Sequence, residues 1–347
     1  MTERPAHADS LPPNERRPLA ARVGAGVWGR PIVPVVVIGV AVVLPLVVKS
    51  GFTLGIFTDS LVYVVLALSY DLSVGRVGAL SLAHPAFFGT GAYAAAIVFE
   101  RYALPLALQV LIAVGAAVVL AFLIGIPAFR LAHLTFGMAT LGFALIAELI
   151  AQNEIGLTNG PLCIAGLSSL SSRPLGSLGI DQNGQQYYIF LVIAVAVAAF
   201  VWVLVRSRIG RAYIAIREDE PMAMSVGINP KRYRMSAFVI GAALAGLLGA
   251  FYAHYLSVVC PTNLDISYTV NLLVILFLGG TGGFWGIIAA AFVFTAIPEE
   301  LQVAPNIRLI AYGAALLLGV TLLPQGFEGA AKNVRRRLTR RARARRA

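Results

Sequence analysis

Long unbroken runs of apolar residues constrain this chain more than any other feature. About ten such blocks follow one another, and a helix takes ~20 apolar residues to cross the hydrocarbon core of a bilayer. Within the blocks the apolar residues do not recur at the spacing of a helix with one wetted face. A water-soluble fold needs more polar surface than is available here. Of 347 residues, 59% are hydrophobic and 12% charged, against roughly a quarter charged in soluble domains. The expected fold class is an all-α integral membrane protein, a polytopic bundle of about ten transmembrane helices, some of them broken.

The expected spans are Ile32–Val48, Ile56–Asp71, Leu80–Phe99, Leu104–Phe129, Leu131–Ile150 and Tyr187–Val205. After a basic loop come Met235–Leu256, Tyr268–Leu278, Phe284–Leu301 and Ile307–Leu323. Residues 1–31 are Pro- and Arg-rich and read as a disordered arm. No small-residue cleavage site follows the first apolar block, so that block reads as an uncleaved span rather than a signal peptide. The domain reading is an arm at 1–31, a transmembrane unit at 32–325 and a basic tail at 326–347.

Charge sets the expected orientation. The formal net charge of +11 is concentrated in the loop 206–234 and in a tail carrying Lys332 and the arginines from Arg335 to Arg346. Positive residues beside spans favour the cytoplasm and contact anionic lipid. With both termini cytoplasmic, the 206–234 loop and the tail fall on one side, together with Arg76 and Arg130. The long outer loop 152–186 then holds Arg173 beside Glu154 and Asp181, while Lys49 and Arg101 go against the rule. No aromatic residues are interleaved with the tail arginines, which argues against nucleic acid as a partner.

Two glycine-rich interruptions mark candidate path residues. Gly78–Tyr93 reads GALSLAHPAFFGTGAY and contains Ser81, His84 and Pro85. GGTGGFWG contains Gly279, Gly280, Gly282 and Gly283. Glycine costs about 1 kcal/mol in a helix interior and proline about 3. Backbone freed in lipid needs partners from neighbouring protein or a watery cavity, and transporters place such breaks near the solute. Close helix packing or a surface loop is the alternative, above all for GGTGGFWG. Asp59 and Ser60 interrupt the second span and are further candidates for the path, an exposed place near the outer end of that span being the alternative for Asp59. Gly241, Ala245 and Gly249 form a small-residue face suited to close helix packing.

The cytoplasmic loop carries the most structured signal. Glu218, Asp219 and Glu220 precede Pro221, and Gly227 follows six residues later. Acidic residues and proline suit a helix start, and glycine the residue after its end. The pattern predicts a short helix over Pro221–Val226 with Met222 and Val226 on one face, a plug for a partner's groove. A plain capped turn is the alternative.

Enzyme signatures are missing. GGTGGFWG lacks the Lys and Ser/Thr of a phosphate-binding loop, the four histidines lack metal-ligand spacing, and there is no G-x-S-x-G elbow. Neither cofactor nor metal is expected on this chain. From the residues alone, a permease driven by another subunit and a self-sufficient secondary transporter or channel both stay open.

The stretches DLSVGRVGALSLAHPAFFGTGAYAAA (71–96), GRAYIAIREDEPMAMSVGINPKRYRMSAFVIGAALAGLLGAFYA (210–253) and LFLGGTGGFWGIIAAAF (276–292) resemble the permease subunits of ABC importers for branched-chain amino acids, specifically the M-type subunit. The resemblance implies a coupling helix in the 206–234 loop, borne by Glu218, Asp219, Glu220, Pro221, Met222, Val226 and Gly227. It implies as partners a second homologous permease, two cytoplasmic ATPases that hold ATP and Mg, and a periplasmic or extracellular solute-binding protein. The implied location is the bacterial cytoplasmic (inner) membrane. The implied solutes are branched-chain or similar small amino acids, with urea or short amides as the alternative. Met222 stands where family members tend to have Ala, Pro221 is unusual there, and Asn159 and Cys163 replace two glycines of the family's outer loop.

The remaining polar residues have plain readings. Asp71 and Arg76 suggest an ion pair at the inner surface. His84 suggests a bond to backbone freed by Pro85. Glu148 and His254 fall toward outer span ends, lining a vestibule or resting at the interface, and Glu299 and Glu300 fall at the outer interface. Cys163 and Cys260 both lie in outer loops, where a disulfide is permitted, although two free thiols are the favoured reading.

Overall fold

The computed structural model describes residues 39, 41–45, 50–131, 133–170 and 181–300. The arm 1–31, most of the expected span Ile32–Val48, residues 171–180 of the outer loop, the expected span Ile307–Leu323 and the tail 326–347 lie outside the described residues. So do the side chains of Glu299 and Glu300.

Helix α1 runs Gly51–Asp71 and passes into a π turn, Leu72–Arg76. Its polar residues do not interrupt it. Thr58 and Ser60 donate to the carbonyls of Leu54 and Ile56, at 2.9 and 2.8 Å, so each hydroxyl is satisfied within the helix. α2 (His84–Tyr102), α3 (Leu106–Ala128), α4 (His133–Asn153) and α5 (Gln182–Arg206) follow. A basic segment holds α6 (Arg208–Glu218) and α7 (Glu220–Ser225), and then come α8 (Pro230–Leu256), α9 (Ser267–Gly279) and α10 (Phe284–Glu300). Among the described residues six helical stretches are long and apolar enough to cross a membrane. The protein is thus an all-α polytopic membrane protein.

α8 is the central post, packed most extensively against α2 and α3 and also against α1. Its small-residue face explains how. A Cβ on Gly241 would sit 2.9 Å from the Ser69 carbonyl oxygen, and one on Gly249 would collide with the backbone at Phe88. Without side chains at these places α8 meets the backbones of α1 and α2, the contact that dispersion forces reward in lipid. Phe87, Phe129 and Phe136 gather around Phe238 at one level of this core.

The Pro85 region differs from expectation. Proline does not break a helix there. It sits in the first turn of α2, where its missing N–H removes no bond. The irregular backbone lies ahead of it, at 77–83, and buried side chains satisfy it. Tyr70 donates to the Ser81 carbonyl at 2.7 Å, Leu82 N–H to Thr140 Oγ1 at 3.0 Å, and Thr269 to the Leu82 carbonyl at 3.2 Å. Non-helical backbone inside a membrane bundle needs partners of this kind. His84 bonds Ser69 Oγ through Nε2 at 2.8 Å rather than any backbone group freed by Pro85.

At the end of the bundle away from α6 and α7, here called the distal end, Ile164–Ala165 (β1) and Val258–Val259 (β2) pair antiparallel. Ile164 faces Val259, so one step further along the register Cys163 faces Cys260. The two form a disulfide with their Cα atoms 4.5 Å apart, which overturns the free-thiol reading. His254 is also corrected. It is buried between the Ser168 carbonyl at 2.8 Å and Gln109 Oε1 at 2.6 Å, neither lining a vestibule nor lying at an interface.

Candidate functional site

The basic segment folds into a platform. Ser207 caps α6 by accepting from the backbone N–H groups of Ile209 and Gly210. α6 has one buried face, Gly210, Ala212, Tyr213 and Ile216, and its other side carries arginines. The buried face packs with Val77, Ala223 and Ala237 into a small core of its own. Tyr213 lies in that core, its hydroxyl 2.9 Å from Ser236 Oγ. Burial raises the pKa of its phenol. The sequence reading had no helix here, because Arg208, Arg211 and Arg217 obscure an apolar stripe of only a few residues.

α7 spans Glu220–Ser225, one residue earlier than expected. Asp219 is the N-cap and accepts from Met222 N–H at 2.9 Å, leaving Pro221 inside the first turn. At the other end Ile228 N–H reaches the Ala223 carbonyl and Gly227 N–H the Met224 carbonyl, with Gly227 at φ 83°. This is a Schellman closure, and its left-handed position favours glycine. Glu220 takes a two-pronged bond from Arg234 at the start of α8, at 2.9 and 2.7 Å. Such a fork fixes angle as well as distance. The helix turns Ala223 inward and leaves Met222, Met224 and Val226 at 68%, 52% and 72% exposure. Glu218 ends α6 and is exposed.

Behind this platform lies a polar junction that the sequence concealed. Asp71 is fully buried. Its Oδ2 accepts from Arg76 Nε at 2.8 Å and its Oδ1 from Gly282 N–H at 2.9 Å. The expected surface ion pair is therefore an internal one. Arg217, near the end of α6, donates to the Gly75 carbonyl and to Thr281 Oγ1, the latter at 3.1 Å. Three elements distant in sequence meet here: the end of α1, the α9–α10 turn, and the helix that leads into α7.

The glycines of that turn are placed by the same contacts. Gly279 ends α9, Gly280 and Gly282 take φ of 92° and 80°, and Gly283 N–H closes the turn on the Gly280 carbonyl at 2.8 Å. A Cβ on Gly279 would lie 2.7 Å from Gly286 and Ile287 backbone, so α9 and α10 touch there. GGTGGFWG is thus a tight turn between two helices at the basic end, not an interruption within one helix.

Other sequence candidates go elsewhere. Ser81, His84 and Pro85 sit in the packed segment described above, with Ser81 and His84 only 2% and 3% exposed. Asp59 is half-buried on α1, eight residues in from Gly51, or about 12 Å at 1.5 Å per residue. It lies within electrostatic reach of Tyr252 and Tyr255 of α8 and Tyr268 of α9. Tyr252 and Tyr268 are hydrogen-bonded to each other, and Asn271 donates to Tyr63 at 3.2 Å. Phe88 packs on both Tyr252 and Tyr268, with ring centroids 5.2 and 5.6 Å apart. The tyrosines were missed because each is one residue in an apolar run. Only their common approach to Asp59 marks them.

A family model described as "Branched-chain amino acid transport system / permease component" matches residues 52–323. The high-affinity branched-chain amino acid transport system permease protein LivM of Escherichia coli (strain K12) is 30% identical over 306 residues, covering 82% of this chain and 72% of that protein. LivH, the permease protein of the same name series from that organism, is 26% identical over 298 residues, covering 81% and 94%. The autoinducer 2 import system permease protein LsrC of Enterobacter sp. (strain 638) is 29% identical over 311 residues, covering 82% and 81%. No solved structure matches the chain.

Proposed function

The chain belongs to the family of branched-chain amino acid transport system permease components, and from that premise we propose that α7 is the seat of a cytoplasmic ATPase and the α6–Asp71 junction the route by which its motion enters the membrane. The protein is a transport component rather than an enzyme. The observation that carries the proposal is the combination of an exposed apolar tip with a rigid mount. A two-turn helix is unstable in isolation. Here it is capped at both ends and forked to α8 through Glu220 and Arg234, yet it leaves Met222, Met224 and Val226 uncovered. Methionine side chains adapt to a partner's groove.

On this reading the basic end is cytoplasmic, both termini lie on that side, and the disulfide end faces the periplasm, where a cystine persists. ATP and Mg are held by two ATPase subunits. A second, homologous permease completes the membrane unit, and a solute-binding protein delivers to the distal face. A push on α7 reaches Arg217 through α6 and from there moves the end of α1 and the α9–α10 turn together, because Arg217 bonds both.

The solute is a branched-chain or similar small amino acid. Asp59 offers an acceptor for its ammonium group. The neighbouring tyrosine hydroxyls and rings provide donors and an apolar wall. A permease fed by a binding protein gains little from tight binding, which suits so sparse a set of polar groups.

The test is gentle solubilisation of the tagged chain and mass spectrometry of what co-purifies, beside a Met222→Asp/Val226→Asp variant. Recovery of an ATPase and a second permease, with the ATPase lost from the variant, is the expected result. Recovery of the chain alone, under conditions that keep comparable complexes intact, overturns the reading in favour of a self-sufficient transporter.

A further inference from the structure

A second site lies on the flank of the bundle at the basic end, where α3 and α8 part. They are drawn together at Gly125, where an added Cβ would come within 2.7 Å of Met235 Sδ. Beside this contact is a groove of about 660 Å³. Its two walls run antiparallel, so the lining is graded along its length. Arg130 lies in the turn just past the end of α3, and Lys231 and Arg232 open α8, all at the groove's basic end. Phe122, Ile126 and Ile240 line the part that runs into the membrane-spanning region. From the helix end at Ala128 back to Phe122 is about 9 Å at 1.5 Å per residue. Phe122 and Ile126 are 45% and 56% exposed, so the apolar part opens sideways toward lipid rather than into the core. Among the described residues no carboxylate forms an ion pair with Arg130, Lys231 or Arg232.

We propose that this groove binds an anionic phospholipid of the cytoplasmic leaflet, its phosphate between Arg130, Lys231 and Arg232 and an acyl chain along Phe122, Ile126 and Ile240. The leaflet rests on the orientation proposed above, but the groove's chemistry does not. Three cations beside an apolar trough open to the bilayer match one class of molecule: a negative headgroup on a hydrocarbon tail. Basic pockets between spans at the cytoplasmic interface hold anionic headgroups in this way. A zwitterionic lipid would fill the trough but leave net positive charge at its head. An acidic protein segment would satisfy the charge but not the sideways opening. The site also touches the coupling machinery, since Lys231 and Arg232 stand in the first turn of α8 close to the Arg234 fork.

The experiment is native mass spectrometry of the full chain in detergent, titrated with phosphatidylglycerol, cardiolipin and phosphatidylethanolamine. The unaltered chain is expected to retain one anionic lipid through activation that strips phosphatidylethanolamine, and Arg130→Gln/Lys231→Gln/Arg232→Gln to bind it at least tenfold more weakly. An Arg208→Gln/Arg211→Gln control keeps the lipid. Equal retention of the zwitterionic lipid, or an unchanged triple variant, overturns the proposal. So does loss of the lipid when a second permease copy or homologue assembles, because the groove is then a subunit interface. Should the triple variant not fold, Lys231→Gln alone and the salt dependence of the unaltered chain decide it, and binding indifferent to salt overturns it. Lipid binding is read without any ATPase present, so it stands or falls apart from the importer reading. A Lys231→Cys variant labelled from outside intact cells overturns the leaflet.

Discussion

The two ends of the bundle are tied by opposite means. At the distal end, Cys163 and Cys260 are joined covalently, β1 and β2 pair alongside, and His254 bonds both Ser168 and Gln109 within the packed core. At the basic end, α1, α6 and the α9–α10 turn meet through Asp71, Arg76, Arg217, Gly282 and Thr281, all by hydrogen bonds and charge. A disulfide fixes one arrangement and releases it only by chemistry. A hub of hydrogen bonds holds one arrangement and can exchange it for another when a neighbour is pushed. With the basic end moving as proposed and the distal end as its scaffold, variants at each end should separate stability from coupling.

The largest effect is expected at Asp71. Removing one partner of a buried pair leaves an uncompensated charge and costs about 3–5 kcal/mol. Asp71→Ala strands Arg76 and also withdraws the acceptor from Gly282 N–H. The chain should lose most of its expression and melt far lower in detergent. If Asp71→Ala melts like the unaltered protein, the hub is ornamental and the comparison between the ends fails.

Next comes the distal staple. Cys163→Ser/Cys260→Ser, or reduction, should lower stability by about 2–4 kcal/mol, the range for a disulfide that closes a long loop. ATPase recovery through α7 should be unchanged. Intact mass under non-reducing conditions should be two hydrogens below the reduced mass. A disulfide variant that folds normally but releases its ATPase would blur the division between the ends.

A smaller stability effect with a larger functional one is expected at Arg217. Arg217 itself is exposed, although the Gly75 carbonyl it reaches belongs to a buried residue, so Arg217→Gln should cost about 1.5–3 kcal/mol, the worth of a hydrogen bond to a charged group and still below the loss at Asp71. The platform and α7 keep their own caps and core, and the ATPase should still bind. Transport should fall about tenfold while ATP hydrolysis continues, a split measured in reconstituted vesicles. Arg217→Lys restores charge but not the fork that reaches two acceptors, and should recover little. Loss of transport and ATPase binding together would place Arg217 in the docking surface instead.

What was legible in the sequence followed the same division. Among the described residues the long apolar helices and their order could be read because apolar length is a local property, and α7 could be read because Asp219, Pro221 and Gly227 are local punctuation; α6, with its short apolar stripe, could not. The Gly241–Gly249 face was legible because small residues four apart fall on one side of a helix. The disulfide was not, since 97 residues separate its cysteines and only the β1–β2 register sets them opposite. Asp71 looked like a surface residue because nothing near it in sequence reveals Gly282 coming from the other end of the chain. The Pro85 region was misread for a related reason. Proline announces a helix start as readily as a break, and the choice depends on Tyr70, Thr140 and Thr269, which satisfy the backbone ahead of it.

The smallest effect tests the rigid mount itself. Asp219→Ala removes the side-chain cap of α7 while leaving Met222, Met224 and Val226 in place. An N-cap is worth about 1 kcal/mol, and α7 is held at its other end by Gly227 and at its side by the Glu220–Arg234 fork. The whole chain should therefore melt nearly unchanged. An ATPase seated on α7 as proposed would meet a tip that spends part of its time unwound, and the ordering cost would fall on the binding step. About 1 kcal/mol there is roughly a fivefold loss of affinity, read by titrating purified ATPase against the reconstituted chain. Asp219→Asn, which can still accept from Met222 N–H, should restore it. If Asn fails where the cap is preserved, the charge of Asp219 contacts the partner directly, and the basic end is then a recognition surface as well as a moving one.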